Sequence, residues 1–309
     1  MGGSANFILV YGALRSGSTL LRLMLNGHPR LACPTESDFF FDHMSRRAGT
    51  WQIDAENLKR DFVFCYTRMT LADGPAKAQI ASFADQSRKG RDMAALVLHR
   101  GIERALEFFP EIRIVHLTRD PRDVAASSIP MGWAGNVYCG VDHWIKTEDE
   151  WSRIRGQLKP GQATEVRYED LIATPEATLT RICDFAGLHY DAAMLEYDGT
   201  SSYSKPDVAK IRQWRDRLGP RDVALVEAKL GGRLAAGGFA RSGYPAVVLN
   251  ARIDLANRIE NIIKIWIFRI RKYGLADPVT VTLSRRMRLP KLGAGAQRRM
   301  DAKLLSSIK

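Results

Sequence analysis

The sequence predicts an α/β chain: a P-loop-type central parallel sheet flanked by helices, with a helical, basic C-terminal extension. Three observations carry this expectation. Two short, continuous apolar runs, residues 6–11 (NFILVY) and 112–117 (IRIVHL), each lead through a polar turn into a helical pattern. Strands buried on both faces and alternating with helices build parallel sheets with crossover helices. The turn after the first run, GALRSGST at residues 12–19, has the frame of a phosphate-binding loop. Charge is divided unevenly: residues 1–240 hold 31 Lys+Arg against 30 Asp+Glu, whereas residues 241–309 hold 15 against 4. Almost all of the net +12 therefore lies in the last 69 residues. A near-neutral stretch of this length buries one sizeable core, so the expected organisation is a domain over 1–240 and a basic amphipathic extension over 241–309.

In chain order, strand 6–11 ends at Gly12, and Thr19, Leu20, Leu23 and Met24 mark the helix that follows. Residues 54–70, 76–86 and 93–109 read as amphipathic helices, separated by Gly74-Pro75 and by Gly90. After strand 112–117, Val124, Ala125 and Ser128 mark the next helix, 138–155 a further one, and 163–167 a third strand. Residues 175–186 form a helix opened by Thr174 and Pro175 and closed by Gly187. Helical patterns at 207–218 and 221–230 precede a Gly/Ala-rich linker at 231–245, a helix at 252–273, and a basic tail.

Composition excludes several classes. An apolar content of 45% with 26% charged residues is globular rather than disordered or fibrous. Cys33, Cys65, Cys139 and Cys183 stand far apart without CxxC spacing, which argues against a zinc site or a disulfide framework and favours a reducing compartment. The N-terminal residues lack a charged n-region and carry an apolar run of only five residues, so the expected location is cytoplasmic.

The loop at 12–19 differs from GxxxxGK[ST] in that Ser18 replaces the lysine. Backbone N–H groups at a helix N-terminus still favour an anion there. The missing lysine is the group that reaches the β/γ-phosphates in a nucleotide triphosphatase, which makes an atypical P-loop kinase or NTPase the alternative reading. A second anion site follows the second strand, in TRDPRDVAASS at residues 118–128. There Arg119 can aim a guanidinium fork, and Ser127, eight residues on, can offer a hydroxyl. Two anion sites on two parallel strands suit a nucleotide phosphorylated at both ends.

The pair RSGSTLLRLMLNGHP and VHLTRDPRDVAASS resembles the 5′-phosphosulfate and 3′-phosphate loops of sulfotransferases that use 3′-phosphoadenosine 5′-phosphosulfate (PAPS), closest to the tyrosylprotein sulfotransferase-like branch. The segment VRYEDL at 166–171, continuing to Gly187 and Leu188, is similar to the family's downstream region, and the resemblance covers residues 7–239. It implies that Arg15, Ser16, Gly17, Ser18 and Thr19 wrap the 5′-phosphosulfate and that Arg119 and Ser127 hold the 3′-phosphate. It places Glu36 as the base that takes the acceptor's hydroxyl proton. It also gives Ser204 and Lys205 as further cofactor contacts and Arg15 as the charge that neutralises the leaving group. PAPS is then the sulfuryl donor, with no metal, in keeping with the lack of a ligand cluster in the sequence. Arg122 and Asp123 read either as ligands or as an exposed charge pair. His28 reads as a turn residue, His116 as a core residue, and His99 and His143 as supporting groups.

The partner implied is a hydroxyl-bearing acceptor on a lipid, glycan or small molecule. For helix 252–273 two readings stand. One is an interfacial helix on an anionic membrane surface, which would make the protein peripheral at the inner face of a membrane; the other is a helix docked on the protein beneath a solvated tail. Nucleic acid is not expected, since the tail matches no nucleic-acid module. A non-enzymatic, membrane-associated scaffold that keeps only the anion loop is the reading furthest from catalysis.

Overall fold

The computed structural model describes residues 6–200, 205–287 and 289–306. The chain forms two compact units, the first reaching to Asp120 and resuming over His143–Gln213, the second formed by Pro121–Asp142 and the chain from Trp214 onward. The basic segment 241–309 thus shares a unit with Pro121–Asp142 and with the residues from Trp214 to the linker, so the compact units do not divide at 240/241.

The first unit is built on a five-stranded sheet. Its strands are β1 (Phe7–Gly12), β2 (Leu31–Ala32), β5 (Met93–Leu98), β6 (Ile114–Thr118) and β7 (Ala163–Arg167), and β3 (Met44–Arg47) and β4 (Thr50–Ile53) form a separate antiparallel hairpin. The sheet order is β2-β5-β1-β6-β7, and every pairing in it is parallel. All six residues of β1 are buried, as its unbroken apolar run requires of a central strand covered on both faces. One face packs Ile8, Val10, Val97, Val115 and Leu117 against the helices Ser18–Gly27 and Pro175–Ala186. The other packs Phe7, Leu9, Tyr11, Leu96 and Leu98 beneath an aromatic cluster of Phe39, Phe40, Phe64 and Phe83.

Three sequence expectations change. Residues 93–109 are not one helix: Met93–Leu98 is strand β5, and the helix Ile102–Phe108 begins only after Gly101 turns the chain in the left-handed region. MAALVL is built of helix formers, and a strand buried on both faces carries no period-2 signal, so tertiary burial decides its state. Residues 54–70 form two short helices, Ala55–Leu58 and Phe62–Thr67, each capped by an aspartate, and the span 207–218 keeps only the short helix Trp214–Arg217 after a 3₁₀ turn.

In the second unit, Arg122 and Asp123 are buried rather than an exposed pair. Arg122 stacks its guanidinium 3.9 Å over the Trp214 ring and bonds Glu227 at 2.7 Å, and Asp123 accepts the Trp214 backbone N–H at 2.7 Å.

Candidate active site

β1 lies between β5 and β6, so the chain crosses to opposite sides of it and leaves a crevice at its carboxyl end, where open α/β sheets bind ligands. Gly12, the last residue of β1, has no room for a side chain, because a Cβ there would collide with the Leu117 carbonyl of β6. The loop then places Arg15 and Gly17 at φ 71° and 96°, and the helix Ser18–Gly27 starts directly behind them. Left-handed residues next to a helix N-terminus turn successive N–H groups towards one point, which makes an anion cradle. The hydroxyl of Ser16 is fully buried and has no hydrogen-bond partner among the described residues. Thr19 lies half-buried in the first turn.

Tyr168, the first residue after β7, closes this loop from the far side. Its ring lies where a Gly17 Cβ would fall, and the Arg119 guanidinium stacks over it at 4.2 Å. Arg119 follows β6 and donates to the Arg15 carbonyl at 3.2 Å, while its Nε is buried without a hydrogen-bond partner among the described residues. The Trp144 indole N–H donates to the Arg119 carbonyl at 3.0 Å, and Glu169 accepts the next backbone N–H, that of Asp120, at 3.0 Å. Burial pushes the Glu169 carboxyl up, partly opposed by the N–H bonds it accepts. The segment that the sequence marked only as a resemblance thus supplies the clamp on Arg119.

Glu36 reaches the same edge by another route. It bridges Val97 in parallel fashion, and the Ser37 N–H donates to the Val97 carbonyl at 2.8 Å, which fixes the segment beside the end of β5. Two residues on, Asp38 accepts the His99 backbone N–H at 2.8 Å and pairs with His99 Nδ1 at 2.6 Å. His99 Nε2 lies 2.9 Å from the Ser18 hydroxyl. Asp38, His99 and Ser18 therefore form a buried hydrogen-bonded chain that ends in the anion loop. Arg100 lies 3.8 Å from Asp38 and holds Asp42 with a forked pair.

Protonation within this chain follows from its charges. Burial opposes charge on His99, yet the bond to Asp38 and the charges of Asp38 and Glu36 prevail and raise it above its ordinary value. Burial likewise works against the Asp38 carboxylate, but the His99 bond and charge, with Arg100, hold it below its ordinary value. A protonated His99 donates through both nitrogens, to Asp38 and to Ser18, and leaves the Ser18 O–H free to donate into the loop.

Glu36, Asp38 and His99 each offer one ligand atom within 4.8 Å of the others, a grouping that could hold a metal ion and that sequence spacing concealed. Both His99 nitrogens are already hydrogen-bonded, so a cation would have to displace Asp38 or Ser18. The donor set fits the hydrogen-bonded chain better than a metal.

The first unit thus brings together Arg15, Ser16, Gly17, Ser18, Arg119 and Glu36 at one sheet edge. Ser127 belongs to the second unit, half-buried in the helix Pro121–Ser128. Lys205 is exposed and lies 3.9 Å from Asp198, and Ser204 falls outside the described residues. Sequence reasoning missed Asp38 and gave His99 only a supporting place. The available signals were a second carboxylate two residues after Glu36 and a histidine directly after an apolar run. Of the other histidines, His28 braces a turn, with its ring 2.9 Å from the His189 carbonyl, and His116 stacks on Trp151 at 4.3 Å in the core.

A model of the sulfotransferase family matches residues 7–192. A Caenorhabditis briggsae protein provisionally named a protein-tyrosine sulfotransferase is 28% identical over 201 residues, which cover 62% of this chain and 68% of that one. An omega-hydroxy-beta-dihydromenaquinone-9 sulfotransferase of Mycobacterium bovis is 31% identical over 96 residues, 27% of this chain and only 25% of that protein's length. Among solved structures, the sulfotransferase domain of the curacin biosynthetic pathway superposes with a TM-score of 0.58 at 17% identity, over 75% of this chain and 97% of that one. The corresponding domain of the Synechococcus PCC 7002 olefin synthase gives 0.53 at 22%, over 72% and 94%. At these identities the two structures show the shared fold.

Proposed function

The chain belongs to the sulfotransferase family, and from that premise we propose that it moves a sulfuryl group from PAPS to a hydroxyl acceptor, with Glu36 as the base. The observation that carries this reading is the convergence, at the carboxyl end of β1, of an anion loop with an orphaned Ser16 hydroxyl, a clamped Arg119 and the Glu36 carboxylate on the segment bridged to β5. When bound, PAPS supplies the sulfuryl group and a phosphate leaving group.

The chain's own part is positioning and charge, as in phosphoryl transfer. Loop N–H groups, Ser16, Ser18 and Thr19 hold the 5′ end. Arg15 offsets the negative charge that builds on the departing phosphate oxygen, while an S–O bond forms at the acceptor and the S–O bond to the phosphate breaks. Glu36 takes the acceptor's proton. His99 does not compete for that role, because both of its ring nitrogens are already engaged, Nδ1 with Asp38 and Nε2 with Ser18. Arg119 is the 3′-phosphate ligand. Ser127 and Lys205, with Ser204, stay as cofactor contacts on the sequence resemblance, as does a catalytic region spanning 1–240.

The acceptor class proposed is a hydroxyl on a lipid, glycan or small molecule. The named activity of the mycobacterial relative, towards an omega-hydroxy menaquinone, is in keeping with a lipid hydroxyl. Isothermal titration and transfer from radiolabelled PAPS test the reading. Binding of 3′,5′-ADP without a response to ATP and Mg²⁺, together with labelled product partitioning into an organic or aqueous phase, is the expected result. Binding of ATP and Mg²⁺ with no response to 3′,5′-ADP would establish the kinase alternative instead.

A further inference from the structure

The helix Ala251–Tyr273 is mounted with its polar side inward. Asp254 accepts the Tyr138 hydroxyl at 2.9 Å, the Asn257 carbonyl and the Glu260 carboxylate accept from Asn136 at 2.8 and 3.0 Å, and Asn261 accepts the Gly135 N–H at 2.7 Å. These contacts all lie within the second unit and fix the rotation of the helix about its axis. None of the helix's residues is buried. At 3.6 residues per turn, Leu255, Ile259, Ile262, Ile263, Ile267 and Ile270 fall within an arc of about 140° on the opposite side. Each of these six is 39–58% exposed. Water-soluble helices normally bury such an arc and solvate the polar one.

The surroundings of the arc say what covers it. Arg269 borders one edge, Arg271 the other, and Arg252 stands at its N-terminal end, while Arg258 and Lys264, also at the borders, are paired with Asp254 at 2.7 Å and Glu260 at 2.6 Å. The helix carries six basic and two acidic side chains. The next two helices, Ala276–Arg286 and Pro290–Ser306, repeat the combination at their junction, where Leu283, Met287, Leu289 and Leu292 are exposed beside Arg285 and Arg286. A second copy would bring like charges together, whereas anionic headgroups neutralise the basic borders while the isoleucines enter the acyl boundary. No helix among the described residues is long and apolar enough to cross a membrane, and this one is interrupted by charge along its length. We propose that the outward face of Ala251–Tyr273 is an interfacial docking surface for an anionic bilayer, lying in the headgroup plane.

The test uses the full chain and two kinds of vesicle, phosphatidylcholine alone and phosphatidylcholine with phosphatidylglycerol. The expected result is co-sedimentation with the anionic vesicles that weakens as salt rises, and little with the neutral ones. Ile259→Glu/Ile263→Glu alters only outward side chains and should reduce partitioning by tenfold or more. Arg252→Gln/Arg271→Gln removes two exposed charges and should reduce it by about fivefold per charge; this pair decides the matter if the first variant fails to fold. Failure of the parent to bind anionic vesicles, or unchanged binding by both variants, overturns the proposal. So does a parent dimer that Ile259→Glu/Ile263→Glu dissociates, since a second copy would then cover the face. Affinity for 3′,5′-ADP, measured on the same samples, reports separately on the sulfuryl-transfer reading.

Discussion

Substituting Asp38→Asn isolates the charge in the Asp38–His99–Ser18 chain, because the amide keeps the carboxylate's shape. Its oxygen can still accept the His99 backbone N–H, now 2.8 Å from Asp38 Oδ1, and its NH₂ group faces Nδ1. His99 then rests neutral, with Nδ1 accepting and Nε2 donating to Ser18, so every polar group keeps a partner. What is lost is the difference between a charge-assisted and a neutral bond in a site where the His99 and Asp38 side chains are 1% and 10% exposed. Hydrogen bonds to charged groups contribute about 1.5–3 kcal/mol, so the variant should be less stable by an amount at or somewhat below that range near pH 6. Asp38→Ala strands both His99 N–H groups and should cost about 3–5 kcal/mol. Urea unfolding with a common m-value measures both.

The pH dependence has a definite sign. Asp38 is held below its ordinary 3.8, so its contribution is present above that value and is lost as pH falls through the lowered one. His99 is raised above 6.5, so its contribution is complete below 6.5 and fades as pH rises through the raised value. The Asp38→Asn deficit should therefore be largest between about pH 4 and 6.5 and shrink in alkali. An NMR titration of the His99 ring should find its pKa lowered in the variant. Equal stability of parent and variant at pH 6, or a deficit that grows with pH, would refute the charged chain.

Three further outcomes follow from the site. Glu36→Gln should leave 3′,5′-ADP affinity nearly unchanged and lower kcat by about 10²–10⁴-fold, the usual contribution of general-base catalysis; a fully active variant would remove Glu36 as the base. Arg119→Ala deletes a guanidinium stacked on Tyr168 and should weaken 3′,5′-ADP binding by about 10–150-fold, from the 1.5–3 kcal/mol of a charged hydrogen bond, and unchanged affinity would show that Arg119 was misassigned. Gly17→Ala forces a non-glycine residue to φ 96° and its Cβ into the Tyr168 ring, so both stability and nucleotide affinity should fall; Tyr168→Ala in the same chain should recover part of the loss by making room.

The parts of the site that lie close together in sequence were legible before the fold was known. GALRSGST reads as an anion loop because glycine spacing and helix polarity are local properties, and residues 112–117 read as a strand because their apolar run is β-branched. Strand β5 was not legible: MAALVL carries no period to distinguish a strand covered on both faces from a buried helix. Losing β5 also hid His99, whose place beside Ser18 depends on β5 pairing with β1, with Val10 opposite Val97 and Tyr11 opposite Leu98. Asp38 was hidden in turn, since it reaches His99 Nδ1 through the pairing of Glu36 and Ser37 with Val97, a contact between distant segments. Active-site groups that depend on sheet order are set by contacts between distant segments, which a single sequence does not display.

The long C-terminal helix shows the opposite limit. Its apolar residues were counted correctly from the sequence, but periodicity fixes only which side chains share a face, not which face meets the protein. Four hydrogen-bonding positions, Asp254, Asn257, Glu260 and Asn261, recur at helical spacing and are satisfied by Gly135, Asn136 and Tyr138. Turning the helix over to bury the isoleucines would strip those partners from Asn136 and from the Gly135 N–H, and each polar group left buried without one costs about 1–3 kcal/mol. Polar docking thus fixes the outward direction of the apolar face, and the basic side chains along its borders give that face an electrostatic preference. Of the net +11 in residues 241–309, the helix Ala251–Tyr273 carries +4, from six basic and two acidic side chains, and most of the rest lies on the segment that follows it.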